Sequence, residues 1–290
     1  VLGVLGLAAF VVCELRTPWA SLDVRLFRNR QFASASAMIA LLFFATMGLF
    51  FFITFYIQLV RGRTPLETGL MFLAFGGGML VFGPLSNSFV QRIGARALGL
   101  TALGISAVVF LAIAQFTVTT PLWVLVVLLF LQSMGIANLM PPTMTTLISS
   151  VPRERAGVAS ALGNTLRQVG GALGVAVLGT VVAQTYQHRV AETVPGLPEA
   201  ARASVTATYG ALGHLDPAAA AHAAAGADAA FVDAMQVTAY VAAAIVALGM
   251  VVVARYYPGR QRVQTPVGGT EAADEVAGPE GKVAVPAAER

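Results

Sequence analysis

Charged residues are scarce in this chain of 290 residues, since they make up 11% of it, whereas soluble domains carry about 25%. Cys13 is the only cysteine, which excludes an internal disulfide framework and a cysteine-based metal site. The three histidines (His188, His214 and His222) have no metal-ligand spacing. The chain also lacks a phosphate-binding glycine loop, a zinc-binding His-Glu motif and a nucleophile elbow. We therefore predict no cofactor, no bound metal and no enzymatic activity.

Hydrophobic residues take the place of the missing charges. They form 57% of the chain, the mean hydropathy is +0.76, and the apolar runs are too long for the core helices of a soluble protein. The net charge of +4 is compatible with nucleic-acid binding, but the arginines flank apolar runs and form no patch with interleaved aromatic residues. The composition predicts an all-α integral membrane protein that contacts lipid and binds no nucleic acid.

Six apolar runs are long enough to cross a membrane as helices. Their predicted bounds, numbered as spans one to six, are 32–59, 66–90, 97–116, 121–148, 157–185 and 229–254. Residues 1–13 are apolar but too short to cross alone, and they lack the basic start and the cleavage site of a signal peptide. We interpret them as the end of an earlier, truncated span, which predicts that the chain is the C-terminal part of a longer protein.

The segments between and after the spans are more polar. Residues 14–31 are predicted to be a cytoplasmic linker, residues 186–227 an outer loop with short surface helices, and residues 255–290 a disordered cytoplasmic tail. Eleven arginines lie near span ends on the side of the linker and the tail, and four lie on the other side. Because the arginine-rich side is the cytoplasmic one, we expect a multi-pass protein of the plasma membrane with a cytoplasmic C-terminus.

One arginine lies inside an apolar run. Arg167 is about ten residues, or roughly 15 Å of helix, beyond the basic turn 153–155, and a bilayer core is about 30 Å thick. An ionisable group at that depth is costly unless it faces a partner or a water-filled cavity. Arg167 is therefore the first candidate for a substrate or coupling path.

Small and polar residues accompany Arg167 in span five. Two adjoining strips of the helix carry them: Gly163, Arg167, Gly170 and Gly174 on one, and Asn164, Gln168 and Gly171 on the other. Glycines let another helix approach closely, and the polar side chains can line a watery groove that holds an anion. The alternative is structural: we expect Pro141 and Pro142 to break span four, and Arg167 can hold the carbonyl groups that they free.

Three further residues are candidates for the same path: Gln132 and Asn138 in span four, and Tyr56 in the aromatic-rich span one. Gln132 and Asn138 are six residues apart and do not align on one helix face, so interhelical hydrogen bonding is the alternative. The aromatic residues of span one can stack on flat cationic compounds or pack against lipid. Asp228 and Asp233 lie near the outer end of span six, where the helix dipole favours acids.

Three stretches of the chain resemble a known transporter branch. The first, Tyr56 to Gly69, reads Tyr-x-Gln-x-Val-x-Gly-x-Thr-Pro-Leu-x-x-Gly. The second runs from Gly83 to Arg96. The third joins Val151-Pro152 to Asn164-x-x-Arg167-Gln168-x-Gly170-Gly171-x-x-Gly174. Together they are similar to the fourteen-span drug:proton antiporter branch of the major facilitator superfamily.

The second stretch matches the cytoplasmic motif of that superfamily at Arg92, Gly94 and Arg96, but Gln91 stands where the family usually has an acid. A charge relay at this turn is therefore not expected. Anchoring explains the turn by itself, because a cation at a helix end meets the helix dipole and the anionic leaflet, and Gly94 can form a left-handed cap.

The resemblance implies that the six spans are the C-terminal bundle of a fourteen-span major facilitator protein, with residues 1–13 as the end of its eighth span. It implies proton-coupled efflux of drugs or other hydrophobic or cationic compounds by alternating access, and hence antibiotic resistance. Most coupling carboxylates would lie in the N-terminal half of the transporter, which becomes a further partner. Two alternatives stay open: a permease of the same fold for a specific metabolite, and a membrane scaffold that transports nothing.

Overall fold

The computed structural model describes residues 27–149, 151–213 and 216–256. The predicted remnant of an earlier span at residues 1–13, the linker up to residue 26 and the tail from residue 257 lie outside these ranges. His214 also lies outside them. The described residues belong to one compact unit.

Eight α-helices account for most of the described residues. They are α1 (Arg30–Phe55), α2 (Pro65–Ile93), α3 (Ala95–Ile113), α4 (Leu122–Ser149), α5 (Ala156–Thr193), α6 (Glu199–Arg202), α7 (Val205–Leu212) and α8 (Pro217–Tyr256). Six of them, α1 to α5 and α8, are long and apolar enough to cross a membrane, and they correspond to the six predicted spans. The predicted all-α fold of a multi-pass membrane protein is confirmed.

The turn between α1 and α2 has the geometry that its sequence predicts. A π-helical turn, Tyr56–Val60, continues α1, and Gly62 follows with a φ of +58°. Thr64 then caps α2: its hydroxyl accepts a hydrogen bond from the Glu67 backbone at 3.2 Å, and the Glu67 carboxylate accepts one from the Thr64 backbone at 2.8 Å. Pro65 occupies the first helical position, where its missing N–H costs nothing.

The prediction that Pro141 and Pro142 break span four is wrong, because α4 runs without interruption from Leu122 to Ser149. Proline at position 142 cannot donate to the Asn138 carbonyl. The Ser86 hydroxyl of α2 donates to that carbonyl instead, at 3.0 Å, and so replaces the missing helical bond. The close packing of α2 on α4 thus lets the helix continue through the proline pair.

Helix α1 lies at the centre of the bundle. It packs most extensively on α5 and also contacts α4 and α8, while α2 pairs with α4 and α3 packs on α4 and α8. Large side chains of several helices, among them Phe52, Phe110 and Tyr186, are fully buried in one continuous core. Five spanning helices (α1, α3, α4, α5 and α8) contribute buried residues to this core, and α2 packs against it through the partly buried Met71, Phe72 and Phe75.

Several spanning helices leave large apolar side chains exposed, and α2 and α5 are two of them. The exposed side chains include Leu66, Leu70, Leu73 and Leu80 on α2, and Val169, Leu173 and Val177 on α5. Exposed apolar faces of this length are covered by lipid or by another protein when the chain is in a membrane.

The connection between spans five and six is more helical than the sequence predicts. Because α5 continues to Thr193 and α8 already begins at Pro217, the connection is shortened to residues 194–216 and contains α6 and α7. Alanine has the highest helix propensity, which explains why the alanine-rich stretch after Pro217 joins α8. At 1.5 Å per residue α5 is about 57 Å long, so it extends beyond a bilayer core of about 30 Å.

Candidate functional site

A groove with a volume of about 490 Å³ lies between α1 and α5. It is lined by Phe43 and Met47 of α1 and by Asn164, Arg167, Gln168, Gly171, Ala172 and Val175 of α5. The structure thus brings together Asn164, Arg167 and Gln168, three of the residues that the sequence assigns to a substrate or coupling path. Their part in transport stays a prediction.

Glycines of α5 set the distance between the two helices that form the groove. A Cβ added at Gly170 would lie 2.8 Å from the Ala40 Cα, and one added at Gly174 would lie 2.9 Å from the Phe44 Cα. Side chains at these positions would collide with the α1 backbone, so only glycine permits this contact. The predicted close approach of another helix to the glycine face is therefore observed, and that helix is α1.

The guanidinium group of Arg167 has one neighbour on each helix. Its Nη2 donates a hydrogen bond to Oδ1 of Asn164, one turn earlier on α5. Its Cζ lies over the ring of Phe43, 5.8 Å from the ring centroid, where a cation is attracted by the π electrons. Within the described ranges Arg167 makes no hydrogen bond to α4. The structural alternative, a clasp on carbonyl groups of the proline-containing helix, is therefore not observed.

The groove carries a positive charge at membrane depth. Arg167 lies eleven residues beyond Ala156, where α5 begins, or about 17 Å along the helix. No acidic side chain lines the groove, and no ion pair of Arg167 occurs in the part of the chain that the structure describes. A guanidinium group has five N–H donors, and the hydrogen bond to Asn164 uses one of them.

Gln132 does not line this groove but connects three helices inside the core. Its side chain is fully buried, and its Nε2 donates to the Thr46 hydroxyl of α1 and to the Ser106 hydroxyl of α3, at 3.1 Å each. Thr46 in turn donates to the Leu42 carbonyl at 2.9 Å. This arrangement matches the alternative of interhelical hydrogen bonding. A role of Gln132 in the substrate path stays a prediction.

Asn138 and Tyr56 also lie apart from the groove. Asn138 is 2% exposed, and its amide donates to the Met134 carbonyl of the same helix at 2.8 Å. Tyr56 is fully buried, and its hydroxyl donates to the Thr117 carbonyl at 3.0 Å, which fastens the end of α1 to the connection between α3 and α4. Their place on a substrate path stays a prediction.

The turn between α2 and α3 has anchoring contacts. Arg92 lies exposed in the last turn of α2, and Arg96 donates a hydrogen bond to the Ala254 carbonyl near the end of α8. Gly94 has a φ of +82° and a ψ of +153°. This is an extended conformation that is essentially restricted to glycine, so the expected left-handed helical cap is not formed. Gly83 has open space around the position of a Cβ.

The two acids of span six have specific partners in the outer region. Because α8 begins at Pro217, neither Asp228 nor Asp233 lies in its first turn, and the expected stabilisation by the helix dipole does not apply. Asp228 accepts a hydrogen bond from the Tyr209 hydroxyl of α7. The Asp233 Oδ2 lies 3.8 Å from the Nε of Arg189 in α5. These contacts tie α5, α7 and α8 together.

Sequence reasoning missed the α1 side of the groove. Phe43 and Met47 are four residues apart and so share a helix face, but apolar residues at this spacing occur throughout span one. Thr46 and Ser106, the partners of Gln132, were missed for a similar reason, since a single hydroxyl in an apolar run carries no sign of its partner. Only the packing of the helices identifies them.

Comparison with known proteins agrees with this architecture. The family model described as Major Facilitator Superfamily matches residues 3–175. The matched region includes α1 to α4 and the part of α5 that carries Arg167 and the glycines Gly170 and Gly174.

Three similar proteins have names that describe resistance. The multidrug resistance protein Stp of Mycobacterium tuberculosis is 38% identical over 178 residues, which are 61% of this chain and 33% of that protein. The tetracenomycin C resistance and export protein of Streptomyces glaucescens is 30% identical over 66% of this chain and 35% of its own length. A tetracycline resistance determinant of Streptomyces rimosus is 31% identical over 66% and 56%, respectively. The chain thus spans about a third of the first two proteins.

Proposed function

The chain belongs to the major facilitator superfamily, and we propose that it forms the C-terminal part of a transporter that exports drugs or other hydrophobic or cationic compounds in exchange for protons. The observation that carries this proposal is the groove at Arg167, a partly polar site at membrane depth in a bundle of spanning helices. Drugs as the substrate class are supported by the names of the similar resistance proteins.

Alternating access requires two bundles that rock against each other around a site near the middle of the membrane. In the proposed mechanism the six spanning helices move as one of these bundles, because α1 connects α4, α5 and α8 through a continuous core. The groove supplies side chains of this bundle to the shared site. Rocking then exposes the groove to one side of the membrane at a time.

The second bundle is proposed to be the N-terminal half of the same transporter. The exposed apolar faces of α2 and α5 offer it a surface, and the resistance proteins are long enough to contain such a half, since this chain spans only part of them. Proton coupling needs a protonatable group within the membrane. Among the described acids of the spanning helices, Glu67 caps α2, and Glu192, Asp228 and Asp233 have partners near the ends of α5 and α7. We infer that the coupling carboxylates come largely from the other half.

We also propose a plasma-membrane location with a cytoplasmic C-terminus. The arginine distribution supports this orientation, because positive residues are concentrated on the cytoplasmic side of membrane proteins. In this orientation the turn at Arg92 and Arg96 lies in the cytoplasm, and α6 and α7 lie outside the cell.

Dye efflux from energised cells that produce the complete gene product tests the proposal. Wild type is expected to export an uncharged hydrophobic dye that carries carbonyl groups, and a protonophore is expected to abolish the export. Arg167→Ala is expected to reduce the export at least about tenfold, the equivalent of one charge-assisted hydrogen bond to a dye carbonyl. Arg189→Ala is the matched control, because Arg189 lies on the same helix outside the groove.

Membrane abundance is measured for each variant, so that a folding defect is not taken for a transport defect. Export by wild type that persists with a protonophore would contradict proton coupling. An absence of export for several dyes, together with uptake or release of a single metabolite, would replace drug export by the alternative of a specific permease.

A further inference from the structure

The groove at Arg167 has a charge that restricts what it can bind. Its only charged lining residue is Arg167, and the only other side chains with hydrogen-bonding groups are the amides of Asn164 and Gln168. Both amides are exposed, and Asn164 already accepts a hydrogen bond from the guanidinium group. A positive charge beside apolar walls favours an anion and repels a cation.

The remaining walls of the groove are apolar and partly aromatic. Phe43 and Met47 form the α1 side, and Ala172 and Val175 extend the α5 side. Gly171 lets the Met47 side chain pack close to α5, since a Cβ there would lie 2.8 Å from the Met47 Cγ. Aromatic rings and thioether groups pack favourably against flat ring systems. The groove therefore combines an anion-binding group with a surface for a ring.

The Asn164 side chain prepares the guanidinium group for a ligand. A hydrogen bond on one side and the Phe43 ring on the other hold the planar group in place. A planar guanidinium fork matches the two oxygens of a carboxylate, or a phenolate oxygen, better than a lysine ammonium group does. Holding it before binding reduces the entropy that a ligand has to overcome.

We propose that this groove is a subsite for planar aromatic compounds that carry an acidic oxygen group, such as a carboxylate or a phenolate. The acidic group binds Arg167, and the ring packs against Phe43 and Met47. This inference rests on the proposed transport function and narrows its substrate class. Cationic compounds gain nothing from this subsite, because no acidic residue in the described part of the chain lines it.

Two dyes with the same fused xanthene ring and opposite charge test the subsite in cells that produce the complete gene product. One is fluorescein, which carries a carboxylate, and the other is the cationic ester rhodamine 6G. Arg167→Gln is expected to raise the apparent KM for fluorescein about tenfold to a hundredfold, the factor for one charge-assisted hydrogen bond. Arg167→Lys, which keeps the charge without the planar fork, is expected to have an intermediate effect.

The cationic dye and a second arginine serve as controls. The apparent KM for rhodamine 6G is expected to stay within about twofold in every variant, since no charge-assisted hydrogen bond is lost. Arg189→Gln lies on the same helix outside the groove, and it is expected to leave the apparent KM for both dyes unchanged. Equal losses for the two dyes at equal membrane abundance would make Arg167 structural and overturn the inference, while the proposed export would stand. Selective loss of rhodamine 6G would overturn it as well.

A binding measurement separates the subsite from transport. The purified complete protein in lipid nanodiscs is titrated against fluorescein, and binding is followed by fluorescence anisotropy. Weaker binding by Arg167→Gln than by wild type supports the subsite even if neither dye is exported, in which case only the proposed export fails. Equal binding by the two proteins overturns the subsite.

Discussion

Two polar clusters lie among the described residues of the spanning helices, and they differ in whether their N–H donors already have partners. Around Gln132 the side chains are neutral and fully buried, and the amide donates to hydroxyl groups of two other helices. Around Arg167 the side chains are charged or exposed, and a groove of about 490 Å³ opens beside them. One cluster is closed by the fold, and the other remains open to a ligand.

This difference shows why a polar residue in an apolar helix does not by itself mark a functional site. A neutral amide can satisfy its donors with neighbouring helices and then contributes to packing. A guanidinium group has more donors and a charge, and both are costly in a membrane without a partner. The groove at Arg167 keeps such a group accessible, which is the property that a binding site requires.

The largest effect should follow from destroying the helix contact that forms the groove. Gly174→Val places a side chain against the α1 backbone at Phe44, and it is expected to cost about 3 kcal/mol or more by overpacking. Thermal unfolding of the purified complete protein, together with its abundance in the membrane, measures this loss.

Gly157→Val is the matched control for the helix contact. Gly157 lies on the same helix, and a Cβ there has no neighbour within 4 Å. The two substitutions have the same effect on helix propensity, so the difference between them isolates the contact with α1. Equal stability of the two variants would show that α1 and α5 do not pack as described.

A smaller effect is expected from removing the side-chain hydrogen bonds of Gln132. Gln132→Leu removes the hydrogen bonds to Thr46 and Ser106 and should lower the free energy of unfolding by about 0.6–1.7 kcal/mol, the range for interhelical hydrogen bonds in membranes. The apparent KM for an exported dye should stay unchanged, in contrast to Arg167→Gln. A changed KM at unchanged stability would instead place Gln132 on the substrate path, as the sequence predicts.

The smallest effect is expected between α7 and α8, where Asp228 accepts a hydrogen bond from Tyr209. Tyr209→Phe removes the hydrogen bond to Asp228 and should increase hydrogen exchange in α7 up to about tenfold, with little change in global stability. Burial and the hydrogen bond to Asp228 raise the pKa of Tyr209. Its hydroxyl therefore remains a donor at physiological pH, and the effect should not vary between about pH 6 and 9. Unchanged exchange in α7 would show that this contact does not hold the helix.

The spans were predictable because a bilayer requires about twenty apolar residues per helix, and the six predicted spans all correspond to helices. The glycine face of span five was predictable from spacing alone. The effect of Pro141 and Pro142 was not, because Ser86 of another helix replaces the hydrogen bond that Pro142 removes. The start of α8 at Pro217 was missed because a search for long apolar runs does not detect an alanine-rich helix start.

The candidate site divides in the same way. Arg167, Asn164 and Gln168 could be chosen from the sequence, because polar groups on one face of an apolar helix need a partner or a cavity. Gln132, Asn138 and Tyr56 could be chosen by the same reasoning, and the sequence offers no means of separating them from the first three. Hydrogen bonds to other parts of the fold distinguish Gln132 and Tyr56, and burial with a hydrogen bond inside its own helix distinguishes Asn138.

The sequence by itself determined the membrane class, the six spanning helices and the position of Arg167 along its helix, because these follow from local composition and from distance along one helix. Only the tertiary structure decided that α1 forms the opposite wall of the groove, that Phe43 lies beneath the guanidinium group, and that Gln132 is closed off by Thr46 and Ser106. The physical reason is that contacts between helices depend on shape and small residues at each crossing. Hydropathy along a single helix does not encode which helix it meets.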